Sequence, residues 1–393
     1  MQVYDREVLR SELRSRGWVF QEWLLSRRIV YYTPHELFFE CQAGVPRNGR
    51  QQRICSERDY GVDLRMRFRA PGFDQWYRLV ELYSKTILAR PGKDHVVALA
   101  GIAHEFREVM KANAQTTHGL RTEYLSGLWL EDLSYGLLWQ TTHQKQRLCS
   151  CRAPSWSWAS QLGEVKWLPR SGKMTTKLRV VDSDQTRGNR RQSISAQWLL
   201  TEAIEMSDIL NRSSEGDEID LIAMCAYIRV TGRLHFVLIN NNSDVADNGV
   251  RYRKNLDHDT IETLARETGV ELPKASGLWS KNKDCQRACD WRFVCSSSTT
   301  DVIGGWALFE SPHLVASLNS YDGFSTLALL VGCRSRIASG TGGRITMYHD
   351  VYDVLFLETQ ENHTYRRIGL GRIFDRHLQR EFDSAEEREL MLV

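Results

Sequence analysis

The chain has 393 residues, 42% of them hydrophobic and 26% charged, and its 52 basic side chains are nearly offset by 49 acidic ones, leaving a formal net charge of +3. That length accommodates roughly two or three domains, each with a core of its own. The basic residues are scattered, with short runs at Arg27-Arg28, Arg190-Arg191 and Arg366-Arg367, so the concentrated positive face of a nucleic-acid binder is missing.

Residues 1–10 carry charges throughout and do not read as a secretory signal. The apolar stretch Leu327 to Val331 is too short to span a bilayer. Nine cysteines, an odd number without framework spacing, fit reduced thiols. The expected location is therefore the cytoplasm, and the sequons at Asn211, Asn241 and Asn362 read as chance matches.

Val8, Leu9 and Leu13 recur at helical spacing, with Gly17 as the stop. Trp18 to Leu25 is apolar on nearly every face and predicts a short buried helix. Ile29 to Tyr32 and Leu37 to Phe39 predict two strands around Pro34. Gln42 to Arg69 is polar and arginine-rich and predicts a long surface loop. Three apolar stripes at helical spacing follow, marked by Trp76 to Leu88, Val96 to Met110 and Leu125 to Leu138.

From Ala153 onward strands dominate: Leu178 to Val181, Ile219 to Val230, Leu234 to Ile239, Trp291 to Cys295, Thr326 to Val331, Arg344 to Tyr348 and Val351 to Leu357. Thr231-Gly232-Arg233 reads as a tight hairpin. Asn240 to Asn248 reads as a loop, and Ile261 to Thr268 as a short helix.

Several segments, in order, carry a resemblance. They are Arg16-Gly17-Trp18-Val19-Phe20-Gln21-Glu22-Trp23-Leu24-Leu25-Ser26 with the strand pair through Cys41; Asp94 to Ala103; Tyr124 to Trp139 with Gly127-Leu128-Trp129; Ala153-Pro154-Ser155-Trp156-Ser157-Trp158-Ala159-Ser160 with Gly163; and Tyr365 to Gly369. Together they resemble the fungal heterokaryon-incompatibility (HET-domain) family, entered partway through its HET domain. Val19 and Phe20 depart from the family's usual Thr and Leu. The family's opening strands, with a Trp-hydrophobic-Asp pattern and a Cys-Ile-Asn/Asp-Gln-like stretch, are not found.

The resemblance implies nonself recognition with programmed cell death as its output, and a distant relation of the HET domain to the TIR fold, some of whose members cleave NAD. Without the opening strands such a sheet does not close its nucleotide pocket, because ladder groups and an apolar face stay unpaired. The expectation is a protein without a catalytic step or a cofactor of its own. Its partners would be other proteins: an incompatibility partner or regulator, or a second copy associating through the exposed N-terminal strands. A NAD-cleaving enzyme in a longer form and a gene-model fragment without a role are the alternatives.

Glu22, one turn after Trp18 in an apolar segment, is the candidate acid, with burial expected to raise its pKa; the other reading has Gln21 and Glu22 tying backbone elements together. Trp156 and Trp158, two apart after Pro154, are expected on one face of an extended segment with Ser155 and Ser157 on the other. There they would either stack a ligand or plug a seam between domains. Gly17, Trp18, Gln21, Glu22, Pro154, Trp156 and Trp158 are the motif residues.

Cys285, Cys289 and Cys295, or Cys149 with Cys151, lack the second half of a zinc site. No serine sits in a nucleophile elbow, and Gly340 to Gly343 and Gly369-Leu370-Gly371 lack the completing residues of a phosphate loop or a dinucleotide fingerprint. The expected architecture is α+β: a TIR-like HET remnant at 1–42, a loop plus helical region at 43–150, and a β-rich region at 151–393.

Overall fold

The computed structural model describes residues 3–41, 44–50, 72–114, 123–141, 153–168, 174–181, 227–240, 290–296, 299–310, 324–339 and 345–393. It is a mixed α+β chain with one large antiparallel sheet system and a helical layer against it. The expected structure of Ile219 to Ala226, Asn241 to Asn248, Ile261 to Thr268 and Gly340 to Gly343 lies outside the described residues, as do Cys149, Cys151, Cys285, Cys289 and most of Gln42 to Arg69.

The N-terminus differs in detail from the periodicity. Asp5–Leu9 is a π turn and Glu12–Ser15 a 3-10 turn, while Gly17 opens the next helix, α1 (Gly17–Leu25), rather than closing one. A side chain at position 17 would collide with Leu88, so the glycine answers to packing. β1 (Arg28–Tyr32) and β2 (Leu37–Cys41) pair antiparallel around Pro34. The start of the expected loop is a third strand, β3 (Gly44–Asn48), hydrogen-bonded to β2.

Two of the three expected helices form: α2 (Phe73–Tyr83) and α3 (Val97–Ala114). The third does not. Leu125 to Leu138 folds as a hairpin, β4 (Tyr124–Leu125) and β5 (Leu128–Trp129), followed by a 3-10 turn and one helical turn at Leu133–Gly136. Its tip residues Ser126 and Gly127 have φ of 48° and 99°, a left-handed pair that breaks a helix and suits a two-residue hairpin. The apolar spacing does not separate helix from hairpin here because Tyr124 and Trp129 on one face and Leu128 on the other are buried, with Leu125 half-buried, so neither face reads as wet.

Short strands β6 (Trp139–Thr141), β7 (Val165–Trp167), β8 (Met174–Thr176) and β9 (Arg179–Val180) lead into the β-rich part. There β10 (Ile228–Asn240), β11 (Asp290–Ser296), β12 (Thr299–Phe309), β13 (Phe324–Ser339), β14 (Ile345–Thr359) and β15 (Thr364–Ile373) form one ladder. It closes on itself in the order β10–β13–β14–β15–β12–β11–β10, every step antiparallel. Closure removes free edges. β16 (Glu387–Leu392) fills the remaining gap, antiparallel to β10 and parallel to the first residues of β15.

Thr231-Gly232-Arg233 is not a hairpin. It runs straight through β10, paired with Glu389-Arg388-Glu387, and the glycine leaves room for Leu178 and Leu329. The described part of the run Arg344 to Tyr348, from Ile345, and the run Val351 to Leu357 likewise belong to one strand. Gly369 and Gly371 lie inside β15, where a methyl would strike the carbonyls of Leu308 and Trp306 on β12. They permit the tight approach that a small closed barrel needs.

The barrel is filled by Val237, Ile239, Phe309, Leu330, Val354 and Phe356, and stoppered by Leu378 and Phe382 of α4 (Arg376–Ser384). Asp375 caps α4, its carboxylate accepting from the backbone N–H groups of His377 and Leu378 at 2.9 and 3.0 Å, as N-cap aspartates do. The outer wall, through Leu329, Val331, Leu355, Leu357 and Leu370, shares a second core with α1, α2, α3 and the β4–β5 hairpin. Phe20, Trp23 and Leu24 of α1 belong to that core, whereas Tyr4, Val8 and Phe38 form a small cluster of their own.

Candidate functional site

The segments carrying the resemblance converge where the helical layer meets the barrel. The hairpin tip is the hub. Because Ser126 and Gly127 adopt positive φ, their carbonyls turn inward: that of Gly127 accepts from the indole N–H of both Trp76 (3.1 Å) and Trp158 (2.9 Å), and that of Ser126 accepts from the Ser157 hydroxyl. A side chain at position 127 would run into the Trp158 ring. Two buried indoles are thus satisfied by one carbonyl with two lone pairs.

Pro154 to Ser160 is not an extended strand with a wet face. It turns, then forms a 3-10 turn at Trp158–Ser160 in which the Ser157 hydroxyl accepts from the Ala159 N–H. Ser155, Trp156, Ser157 and Trp158 are all buried, so the serines do not face solvent. Both tryptophans lie in the core shared by helices and barrel, which places them at the seam and leaves no open platform for stacking a ligand. The Trp156 carbonyl accepts from the Trp139 indole at 3.0 Å. The Ser155 hydroxyl accepts from the Arg367 N–H at 2.9 Å and donates to the Val393 carbonyl, and Val393 in turn donates to Tyr365 at 2.9 Å.

Around this seam the structure buries charge that periodicity did not single out. Asp353 on β14 accepts from Arg334 of β13 at 2.5 Å and from Arg372 of β15 at 2.9 Å, and all three are buried. Arg367 lies 3.5 Å above the Trp139 ring and 3.2 Å from Glu310, whose other oxygen accepts from Gln161 at 3.1 Å. The Asp353 links join β13, β14 and β15 to one another, while the Glu310–Gln161 and Arg367–Trp139 contacts tie the barrel wall to the layer around Trp156. Two signals were available: an aspartate within an apolar run, Val351 to Leu357, and the basic pair Arg366-Arg367.

His95 completes the junction. Its ring stacks on Tyr83 at 6.0 Å and meets Trp158 edge-on at 5.2 Å. Burial pushes its pKa down to about 4, although a hydrogen bond to the Ala159 backbone works the other way. Its Nδ1 has no hydrogen-bond partner among the described residues, consistent with a neutral imidazole.

Glu22 is exposed, which overturns the expectation that it lies in an apolar pocket. α1 buries Gly17, Phe20, Trp23 and Leu24. Trp18, one turn before Glu22, is 43% exposed, so both lie on the outer side. The Gln21 amide rests against the bare Cα of Gly101 in α3, and its Oε1 has no hydrogen-bond partner among the described residues. The buried carboxylate of this region is Glu40 on β2. It accepts from the Tyr4 hydroxyl and, at 3.3 Å, from the Trp23 indole.

Among the described residues no group of histidine, cysteine and carboxylate side chains is arranged to hold a metal ion, and Cys295 is buried. No helix of the described residues is long and apolar enough to cross a membrane. No family model, curated protein or solved structure matches the chain.

Proposed function

We propose that the chain is a cytoplasmic fungal nonself-recognition protein of the heterokaryon-incompatibility type, coupled to programmed cell death and acting through protein contacts without a catalytic step of its own. The observation that carries this reading is the convergence of the motif residues. Gly17 against Leu88, Gln21 against Gly101, Gly127 against Trp158 and His95 against Trp158 are mutual contacts, so residues far apart in sequence serve one packed centre. A TIR-like origin of the α1–β1–β2 unit is part of the proposal. The surface position of Glu22 favours a structural over a chemical use of the motif, because a catalytic acid is normally tuned by burial or a neighbouring charge.

Incubation of the purified full chain with NAD should leave the dinucleotide intact, and Glu22→Ala should change nothing. Steady NAD consumption that Glu22→Ala abolishes, with the circular dichroism spectrum retained, overturns the reading in favour of an enzyme. Expression in one of two otherwise compatible fungal strains should produce death of fused cells, and Trp158→Ala should suppress it.

A further inference from the structure

The three-stranded sheet β1–β2–β3 has two unlike faces. Its inner face is filled: Phe38 packs with Tyr4 and Val8, Tyr31 lies against them, and Glu40 is bonded by Tyr4 and Trp23. Register decides what the outer face carries. Arg28 stands opposite Cys41, Val30 opposite Phe39 and Tyr32 opposite Leu37, and Phe39 stands opposite Arg47 on β3. Residues opposite one another share a face. Val30 is 43% exposed, Tyr32 83% and Leu37 39%, beside a half-buried Phe39, and Arg28 and Arg47 are both exposed. Glu40 alternates to the inner face. Among the described residues of these strands, then, the outer face is an apolar strip flanked by the guanidinium groups of Arg28 and Arg47 and the exposed Cys41, without a carboxylate.

We propose that this face docks an amphipathic helix of a partner protein, one that presents apolar side chains to Val30, Tyr32, Leu37 and Phe39 and carboxylates to Arg28 and Arg47. Charge complementarity selects the occupant. A second copy laid face to face would bring arginines as its sole charges to an apolar stack, with no outward carboxylate on either face to meet them, and buried unpaired charge is costly. An acidic helix supplies both halves of the match: tyrosine and arginine are among the side chains enriched at interface hot spots, and opposed charge sets orientation and encounter rate. The inference stands whether or not the incompatibility reading holds.

The test uses the full chain and two synthetic amphipathic helical peptides with the same leucine face, one flanked by glutamates and one by lysines. The glutamate peptide should bind the wild type at least about tenfold more tightly than the lysine peptide, less so at high salt. Tyr32→Glu and, separately, Tyr32→Ser should weaken it with thermal melting unchanged, since the side chain is exposed. Arg28→Glu with Arg47→Glu should reverse the preference between the two peptides. Equal binding of both peptides, binding of neither, or a preference that survives the double charge reversal overturns the proposal. So does a concentration-dependent dimer that Tyr32→Glu dissolves without any peptide selectivity, which assigns the face to a second copy. Binding to phosphatidylserine vesicles that Tyr32→Glu abolishes, again without peptide selectivity, assigns it to a lipid surface and equally overturns it.

Discussion

At His95, a titratable ring is held neutral by its surroundings. The folded pKa is lowered to about 4 from an ordinary 6.5, so between those values the unfolded chain binds a proton that the folded chain refuses. Stability from this residue is therefore complete above pH 6.5 and is lost as pH falls towards 4. The full shift corresponds to roughly 3 kcal/mol at about 1.4 kcal/mol per pH unit. Urea unfolding at pH 7 and pH 4.5 should show a large drop in the wild type, and His95→Leu should be less acid-sensitive by on the order of 2–3 kcal/mol. An identical pH dependence in the two proteins overturns the assignment. Trp158, which touches the same ring, is a second residue whose effect is bounded: its complete burial and its bond to Gly127 predict that Trp158→Ala costs about 3–5 kcal/mol, against less than about 1 kcal/mol for a surface position. Equilibrium unfolding measures it, and a surface-like cost rejects the seam.

Between elements, two glycines make a controlled comparison. At Gly101 an added methyl meets the amide end of the Gln21 side chain, whereas at Gly371 it meets the Trp306 backbone carbonyl inside the β12–β15 ladder. A side-chain amide can swing away; a ladder carbonyl can move only by parting two strands. Gly371→Ala is therefore expected to lower the melting temperature several-fold more than Gly101→Ala, with hydrogen exchange faster in β12 and β15 only for the former. Equal effects reject this account of why β15 carries glycine at alternate positions. Gly369 and Gly371 show how a motif-like spacing arises from packing. A period of two puts both on one side of a strand, and the neighbouring strand leaves no space there.

For the molecule as a whole, the question is how the N-terminal layer relates to the barrel. The barrel has its own filled interior and α4 stopper, while α1 contributes Phe20, Trp23 and Leu24 to the core beneath the outer wall. Deleting residues 1–42 is therefore expected to expose the α2–α3 surface rather than improve solubility. Hydrogen exchange should rise in α2 and α3 while β13 and β14 stay protected. Unchanged protection in α2 and α3 after the deletion reinstates a separable N-terminal unit.

Much of this architecture was legible from residues 1–41, 73–110 and the strand runs after Ala153, because burial of one face imposes a period on the sequence wherever the other face stays wet. The α1–β1–β2 order, α2, α3 and most strands of the barrel follow from that rule. It fails where both faces are covered, as in the β4–β5 hairpin, and where a glycine answers to a distant neighbour, as Gly17 does to Leu88 and Gly232 to Leu329. It is silent on charge. Periodicity placed Glu22 inside an apolar helix and left Asp353, Arg367 and Glu310 unremarked, yet the structure exposes the first and buries the others. A side chain's apolar character is intrinsic and repeats along the chain. The burial of a charge depends on a partner brought by another element, as Gln161 is brought to Glu310 from 149 residues away, and only tertiary structure supplies that partner.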